Sequence, residues 1–548
     1  MKILNITKNK FLSFIGGLDD NVQSQPDKET PRMHTNLLFN FFKFCIMIVL
    51  IFLAFTSLFT FVINFWNVNT ISMIITVAPI LLLMLFALIT TLFKKITRKQ
   101  AFVISIILIA VNIILAAMSN FLPIWDGLNL AYTLSEMDRG IYTTLNHHYY
   151  KICTNQLKFL MFLDIFNLLP KYFYPLNMVA YVIGFITIGK LSDQINRNAT
   201  RHAWLLYAGY LPFALYMGSY YRDMIGAVLI MIFVYNIIRI AKNNAAHIHY
   251  AMAFVSFFVG YIVQDWILIP LIATVIVFTL YRATTKRDEI KKLILVIICF
   301  LSVAATPMLT KTYFKSIHNF DVPESNSEVS WLVMGNLPIE YNYIYNNVSV
   351  DSNVIMYEGQ YNDYLFNYWL ISDEYRDIKV IKQMAKDDLK ELVGYWSNQP
   401  SKYAKFLSNK LIKQWEECTV EGWANGSSYK DRATRDMSTM TNHPIAQAMI
   451  FNNSSYMLFA MLFKGMWTYI YCALCFMVIK KRKLSIAENM LLITMIGAFA
   501  FSAIHEAKPR YVMPFMILLL PMAADWINAH DSILKLAKRK TDDINTKD

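Results

Sequence analysis

Charge is what this sequence has least of. Only 16% of its 548 residues are Asp, Glu, Lys or Arg, where a soluble globular chain carries roughly 25%. Glycine, at 17 residues, is too sparse for a collagen-like chain. No internal repeat, signal-peptide cleavage pattern or nucleic-acid motif is visible. The six cysteines are scattered. Cys45, Cys299, Cys472 and Cys475 fall in apolar runs, and only Cys153 and Cys418 in polar stretches. The Cys472–Cys475 spacing matches a redox or zinc pair, but it sits in a hydrophobic segment with no partner His. Lipid-embedded packing is the better reading.

What is present is apolar. Hydrophobic residues make up 56% and aromatics 15%, the mean hydropathy is +0.37, and the apolar residues come in long unbroken blocks. This excludes a disordered chain and an ordinary cytosolic enzyme. The expected fold is all-α and polytopic, with about 12 membrane helices of roughly 17–25 residues. The apolar runs are 37–65, 71–93, 101–122, 172–191, 203–219, 224–241, 249–264, 266–281, 293–310, 454–479, 487–504 and 511–528. Those between 203 and 281 are short enough to be tilted or half-length.

Bases exceed acids by 51 to 38. With no basic stripe of interleaved aromatics, the excess fits cytoplasmic loops of a membrane protein rather than a nucleic-acid partner. Lys94, Lys95, Arg98 and Lys99 form one cluster, and Arg197 with Arg201 another. Arg282 to Lys292, Lys480 to Lys483 and Lys535 to Lys540 form three more. All fall on one side only if both termini are cytoplasmic and about 12 helices cross. Segment 156–169 must then be a juxtamembrane or re-entrant helix on the outer face. The resulting organisation is a cytoplasmic segment 1–36 and a membrane core 37–310 with first outer loop 123–171. An extracytoplasmic insert 311–453, last helices 454–528 and a basic cytoplasmic tail 529–548 follow. The cytoplasmic loops are too short for a catalytic domain, so chemistry is expected at the outer membrane–water boundary of a multi-pass cell-membrane protein.

Four groups of residues there carry candidate chemistry. Asp126, after the third run, suits a general base at the mouth of a helix, or a cap of helix 128–137. His147 and His148 suggest metal, but adjacent side chains diverge on a helix and a site needs three or four ligands. No cofactor is indicated, and Lys151 beside them can reach a phosphate. Ser219 to Asp223 places Arg222 and Asp223 between two apolar runs, where charge is costly, and Asp265 is similar. The sharpest group is His505-Glu506-Ala507-Lys508-Pro509-Arg510-Tyr511. There Arg510 and Lys508 suit a lipid phosphate and Tyr511 the headgroup level; the alternative is simple snorkelling. In the insert, Asp377 to Val393 reads as a helix with Ile378, Ile381, Met384 and Leu389 on one face, part of a helical cap.

The pattern resembles the GT-C superfamily of integral-membrane glycosyltransferases, especially bacterial relatives of the protein O-mannosyltransferases and of lipid A aminoarabinose transferase. The likeness rests on Asp126 and its Ala131-Tyr132 helix, and on the run from Tyr149-Tyr150-Lys151 to Phe166. It rests also on Trp331 to Gly335, Lys413-Gln414-Trp415, and His505 to Tyr511 with Pro514 and Pro521 to Ala524. It covers roughly residues 100–530. The resemblance implies inverting transfer of a single sugar from a polyprenyl-phosphate donor to an extracytoplasmic acceptor. Asp126 would be the base. Arg510, Lys508, Arg222 and Lys151 would hold the donor phosphate, supported by Glu506, His505, Tyr511, Asp223 and Asp265. Asp126 is followed by Gly127 where the mannosyltransferases have a second acid, no Trp-Trp-Asp motif is present, and two extra runs precede the family's first. A transporter or flippase of lipid-linked sugars would want repeated halves. An O-antigen-type ligase or polymerase would use lipid diphosphates.

Overall fold

The computed structural model describes residues 36–59, 61–62, 71–72, 96–119, 125–145, 150, 154–243, 245–281, 285–322, 328–338, 359, 378–419, 453–481 and 483–529. These residues are helical apart from turns and a two-residue antiparallel pair, Phe61–Val62 with Ile71–Ser72. In chain order the helices are α1 (Asn36–Phe59), α2 (Arg98–Ser119), α3 (Trp125–Met137), α4 (Asn155–Ile165), α5 (Phe173–Ile195) and α6 (Thr200–Gly209). Then come α7 (Leu211–Leu215), α8 (Asp223–Ala241), α9 (His247–Val263), α10 (Leu268–Leu280) and α11 (Lys286–His318). The last are α12 (Glu328–Gly335), α13 (Ile378–Ser397), α14 (Pro400–Trp415), α15 (Asn453–Lys480), α16 (Ile486–Ile504) and α17 (Pro509–Ile517), with α18 (Leu520–Ala529) closing the bundle.

Seven of these are long and apolar enough to cross a membrane, and the bent pair α17–α18 makes eight. α9 and the 265–280 segment are apolar but shorter. The run 203–219 is broken rather than continuous. Tyr210 leaves the helical region at ψ 76° and Pro212 opens a new five-residue helix, where its missing N–H costs no bond. The 73–93 part of the second run lies outside the described residues. α4 has 11 residues, about 16 Å of rise, too short for a hydrocarbon layer of about 30 Å. Its buried Leu157, Phe159, Leu160 and Leu163 hold it against the bundle.

Helix faces follow the apolar pattern. On α1, Ile46, Leu50 and Leu53 are buried while Phe41, Phe44, Ile48, Ile51 and Phe55 are exposed. A mostly apolar helix with one apolar face bare is what a lipid-facing helix presents. Inside, Phe185, Trp204, Tyr207 and Phe213 form an aromatic seam between α5 and α6–α7. Gly189 makes that seam possible, since a Cβ there would strike the Trp204 indole.

Polar bonds sort to two poles. At one, Arg98 pairs with Asp193 at 3.0 Å and Lys481 bridges Glu488 and Asp525 at 2.5 and 2.9 Å. There too Asn196 donates to Asp525 at 2.8 Å and Arg201 to Asn528 at 3.3 Å. Asn489 donates to Tyr281 Oη at 2.7 Å, placing Tyr281, at the end of α10, at this pole. The described basic clusters therefore share one end of the bundle. Asp265, Arg222, Glu506 and α12–α14 lie toward the other.

One boundary of the expected insert differs in the structure. α11 runs on to His318 before Asn319, at φ 50°, ends it in the left-handed region. The polar segment so begins near 319 rather than 311. At its other described end, the segment is more than a cap. α12, α13 and α14 share a small core of Val333, Met334, Leu392, Trp396 and Phe406. Beyond it residues 410–419 run into the bundle. Trp415 is fully buried against Phe499. Tyr471 and Tyr210 hydroxyls donate to the carbonyls of Trp415 and Cys418 at 2.9 and 2.8 Å. Glu416 accepts from Thr56 Oγ1 at 2.8 Å and pairs with Lys464 of α15. Glu416 and Lys464 are both buried, and removing one partner of such a pair strands the other's charge. Lys464→Met should therefore destabilise the protein by about 3–5 kcal/mol, and Lys464→Met with Glu416→Gln should recover most of that loss. Thermal unfolding in detergent measures both; an unstable double variant and a stable single one would contradict the pairing.

Candidate functional site

The turn between α16 and α17 carries the densest charge at the second pole. Glu506 is buried. Its Oε1 lies 3.0 Å from Lys508 Nζ, and its Oε2 accepts from Tyr511 Oη at 3.2 Å. Pro509 starts α17 at the position where a missing N–H is harmless, so Lys508 falls at the N-cap and Arg510 and Tyr511 in the first turn. Arg510 is also buried. Its guanidinium lies 4.3 Å from the centre of the Tyr221 ring and 5.6 Å from that of Tyr511. Stacking uses the face of the guanidinium; hydrogen bonding to an anion uses its edge.

Three further segments reach this turn. The first is 219–223, which brings Tyr221 to Arg510. Beside it Arg222 donates to Asn155 O at 3.3 Å, and Asp223 is buried at the start of α8, where the helix dipole favours its charge. The second is 265–267. Trp266 packs on Tyr511 with ring centroids 4.5 Å apart, and Asp265 pairs with Lys158 of α4. The Lys158 ammonium lies 4.1 Å from the Tyr261 ring centre. The third is the insert. His505 stacks with Phe501 and with Trp331, and burial pulls its imidazole below the usual value.

Arg510, Lys508, Glu506, His505, Tyr511, Arg222, Asp223 and Asp265 thus belong to segments that meet at one pole. Asp126 lies in the first turn of α3, one residue inside the helix start and not at the cap of a helix beginning at 128; its side chain lies outside the described residues. Its neighbour Gly127 abuts the 219–223 segment: a Cβ there would sit 3.1 Å from Tyr220 Cβ. Lys151 and the His147-His148 pair lie outside the described residues. Tyr150 beside them is buried and donates to Thr133 Oγ1 of α3 at 2.9 Å. Among the described residues, no three His, Cys, Asp or Glu converge as metal ligands.

Three residues here are not among the candidates above. Tyr221 lies within the Ser219–Asp223 group and Lys158 within segment 156–169, and neither stands out there. Lys410 had the clearest signal. It stands at the i+4 spacing between Phe406 and Gln414, on the face that carries the buried residues of α14. Lys410 is fully buried and bonds to the carbonyls of Gly335 and, at 3.0 Å, Ala503.

Comparison with family models, curated proteins and solved structures finds no match to the chain. The residues themselves carry the functional reading.

Burial pulls the Lys410 ammonium down to about 7, opposed by the Glu506 carboxylate. In the unfolded chain a lysine titrates at about 10.4, so the unfolded state holds this proton more tightly. The contribution of Lys410 to stability is therefore most favourable above about pH 10 and becomes less so as pH drops toward 7. The melting temperature of the parent should rise between pH 7 and 10 more steeply than that of Lys410→Met. Parallel slopes for the two proteins would contradict the assignment.

Proposed function

We propose that the protein is a glycosyltransferase that moves a single sugar from a polyprenyl-phosphate donor to an extracytoplasmic acceptor in the cell envelope, whether glycan, lipid or protein. The observation that carries this reading is the cluster of Glu506, Lys508, Arg510 and Tyr511 at the pole opposite the basic loops. The turn at 219–222 touches both this cluster and the start of the helix that holds Asp126. Cations within an aromatic setting suit an amphiphilic phosphate at a membrane boundary.

In the transfer, the acceptor hydroxyl oxygen attacks the anomeric carbon. The bond from that carbon to the phosphate oxygen breaks, and the polyprenyl phosphate leaves with the electron pair. Asp126 takes the hydroxyl proton. The leaving phosphate gains charge as the bond breaks, so Arg510 and Lys508 hold it more tightly in the transition state than in the ground state. Arg222 extends the basic surface, Lys151 is assigned to the same phosphate from the sequence alone, and Glu506, Asp265 and Asp223 orient the cations. Inversion needs no covalent enzyme intermediate.

The same reading sets the topology. The eight long helices, α9, the 265–280 segment, the broken 200–218 segment and the run 71–93 make about 12 crossings. The basic pole and both termini are cytoplasmic.

Transfer assayed with a polyprenyl-phosphate sugar tests the chemistry. Asp126→Asn should lower the rate roughly 10²–10⁴-fold at normal protein levels; near-parental transfer would leave Asp126 a helix-terminal charge. Arg510→Lys should be impaired although charge is kept, because Lys lacks the planar fork, and Arg510→Ala more so. A plain interfacial anchor would tolerate the lysine. For topology, Lys402→Cys, after removal of Cys153 and Cys418, should react with an impermeant thiol reagent in intact cells. Labelling only after permeabilisation would reverse the orientation.

A further inference from the structure

The 503–511 turn is fastened from the insert as well as by its flanking helices. Gly335 ends α12, and a Cβ there would collide with the His505 carbonyl, so backbone meets backbone. Asn336 Nδ2 donates to Ile504 O at 2.9 Å. Gln414 Nε2 donates to Ser502 O at 3.1 Å. The Ala507 amide donates to Gly359 O at 2.8 Å, and Gly359, at φ 70°, holds a conformation few other residues adopt.

One amine sits among these bonds. Lys410 donates from α14 to Gly335 O and to Ala503 O, joining the insert to the last turn of α16. The acid facing it is Glu506, which on its other side binds Lys508 and Tyr511. An apolar side chain at 410 would satisfy the packing of α14 beside Phe406 and Leu411. A buried amine is costly unless its bonds are made, and here they are made to the two carbonyls that bracket the joint.

We propose that Lys410 is a positioning residue: by tying Gly335 to Ala503 beside Glu506, it sets the direction in which Lys508 and Arg510 meet the donor phosphate. The inference deepens the transfer reading of this site and rests on it. It assigns the insert a task, which is to hold the phosphate-binding turn in one orientation. Lys410 itself touches no substrate; it acts through Glu506 and the backbone of 503–506.

Two measurements on the full chain in detergent test it. The first is amide hydrogen exchange, which needs no activity. Lys410→Met should speed exchange of the 503–508 amides roughly tenfold or more, with the amides of α5 and α8 unchanged. The second is steady-state transfer with varied donor and acceptor. The same variant should raise the donor KM several-fold and leave the acceptor KM unchanged, a split that general loosening would not give. Lys410→Gln, which keeps a donor but loses reach and charge, should show both effects more weakly. If Lys410→Met loses protection throughout the chain, Lys410→Gln decides between the outcomes. Parental exchange at 503–508 in the folded variant overturns the positioning role. Local loss of protection with no transfer by the parent protein overturns the glycosyltransferase reading and leaves the anchoring of the turn standing.

Discussion

The structure depends on the entry of a polar strand of sequence into an apolar bundle. Residues 410–419 carry Lys410, Gln414, Glu416 and Glu417 into buried surroundings. Burying such groups is unfavourable unless every charge is paired and every carbonyl bonded. Here the bundle supplies those partners: Lys464 and Thr56 for Glu416, and the hydroxyls of Tyr210 and Tyr471 for the backbone. The first helix, the α6–α7 region, α15 and the insert are thereby joined at one place. A segment that reads as a lid over the membrane is in this respect part of the core.

That joint also explains how a short turn can hold opposed charges in a defined arrangement. The 503–511 turn has only two flanking helices to fix it, and α17 is bent against α18 by 46°. Bonds from Asn336, Gln414, Gly359 and Lys410 supply the remaining constraint. With the turn held, Arg510 lies against Tyr221 and Tyr511 against Trp266. Ion pairs at this depth carry weight because little water competes with them.

Much of the fold is legible in the sequence because bilayer physics leaves few choices. Apolar runs of crossing length became α1, α2, α5, α8, α11, α15 and α16, with the largest end shifts at α1, which stops at Phe59, and α11, which extends at both ends. Among the described residues, Arg98 and Lys481, from two of the predicted basic clusters, and Asn196, beside Arg197 of a third, bond at one pole through Asp193, Glu488 and Asp525. Hydropathy does not register a break such as Tyr210–Pro212, since a bent apolar segment is as apolar as a straight one. Nor does it show that α11 continues to His318, because its last turns are polar. The charged residues of the candidate site were visible as costly interruptions of apolar sequence. Their aromatic partners were not, since Tyr221 and Trp266 look like any interfacial aromatic. Lys410 was hidden by its setting in an amphipathic, lysine-rich stretch, where only its place on the buried face sets it apart.

The pole bearing Arg510 and Lys508 is proposed to recognise a lipid-borne phosphate. Thermal stabilisation of the purified full-length protein by polyprenyl phosphate, compared with the matching polyprenol, tests this most directly. The two ligands share the hydrocarbon and differ only in the anion. The account predicts a rise in melting temperature with the phosphate that the alcohol does not match, and that Arg510→Ala removes. Equal stabilisation by both lipids, or a phosphate effect that survives Arg510→Ala, would contradict it.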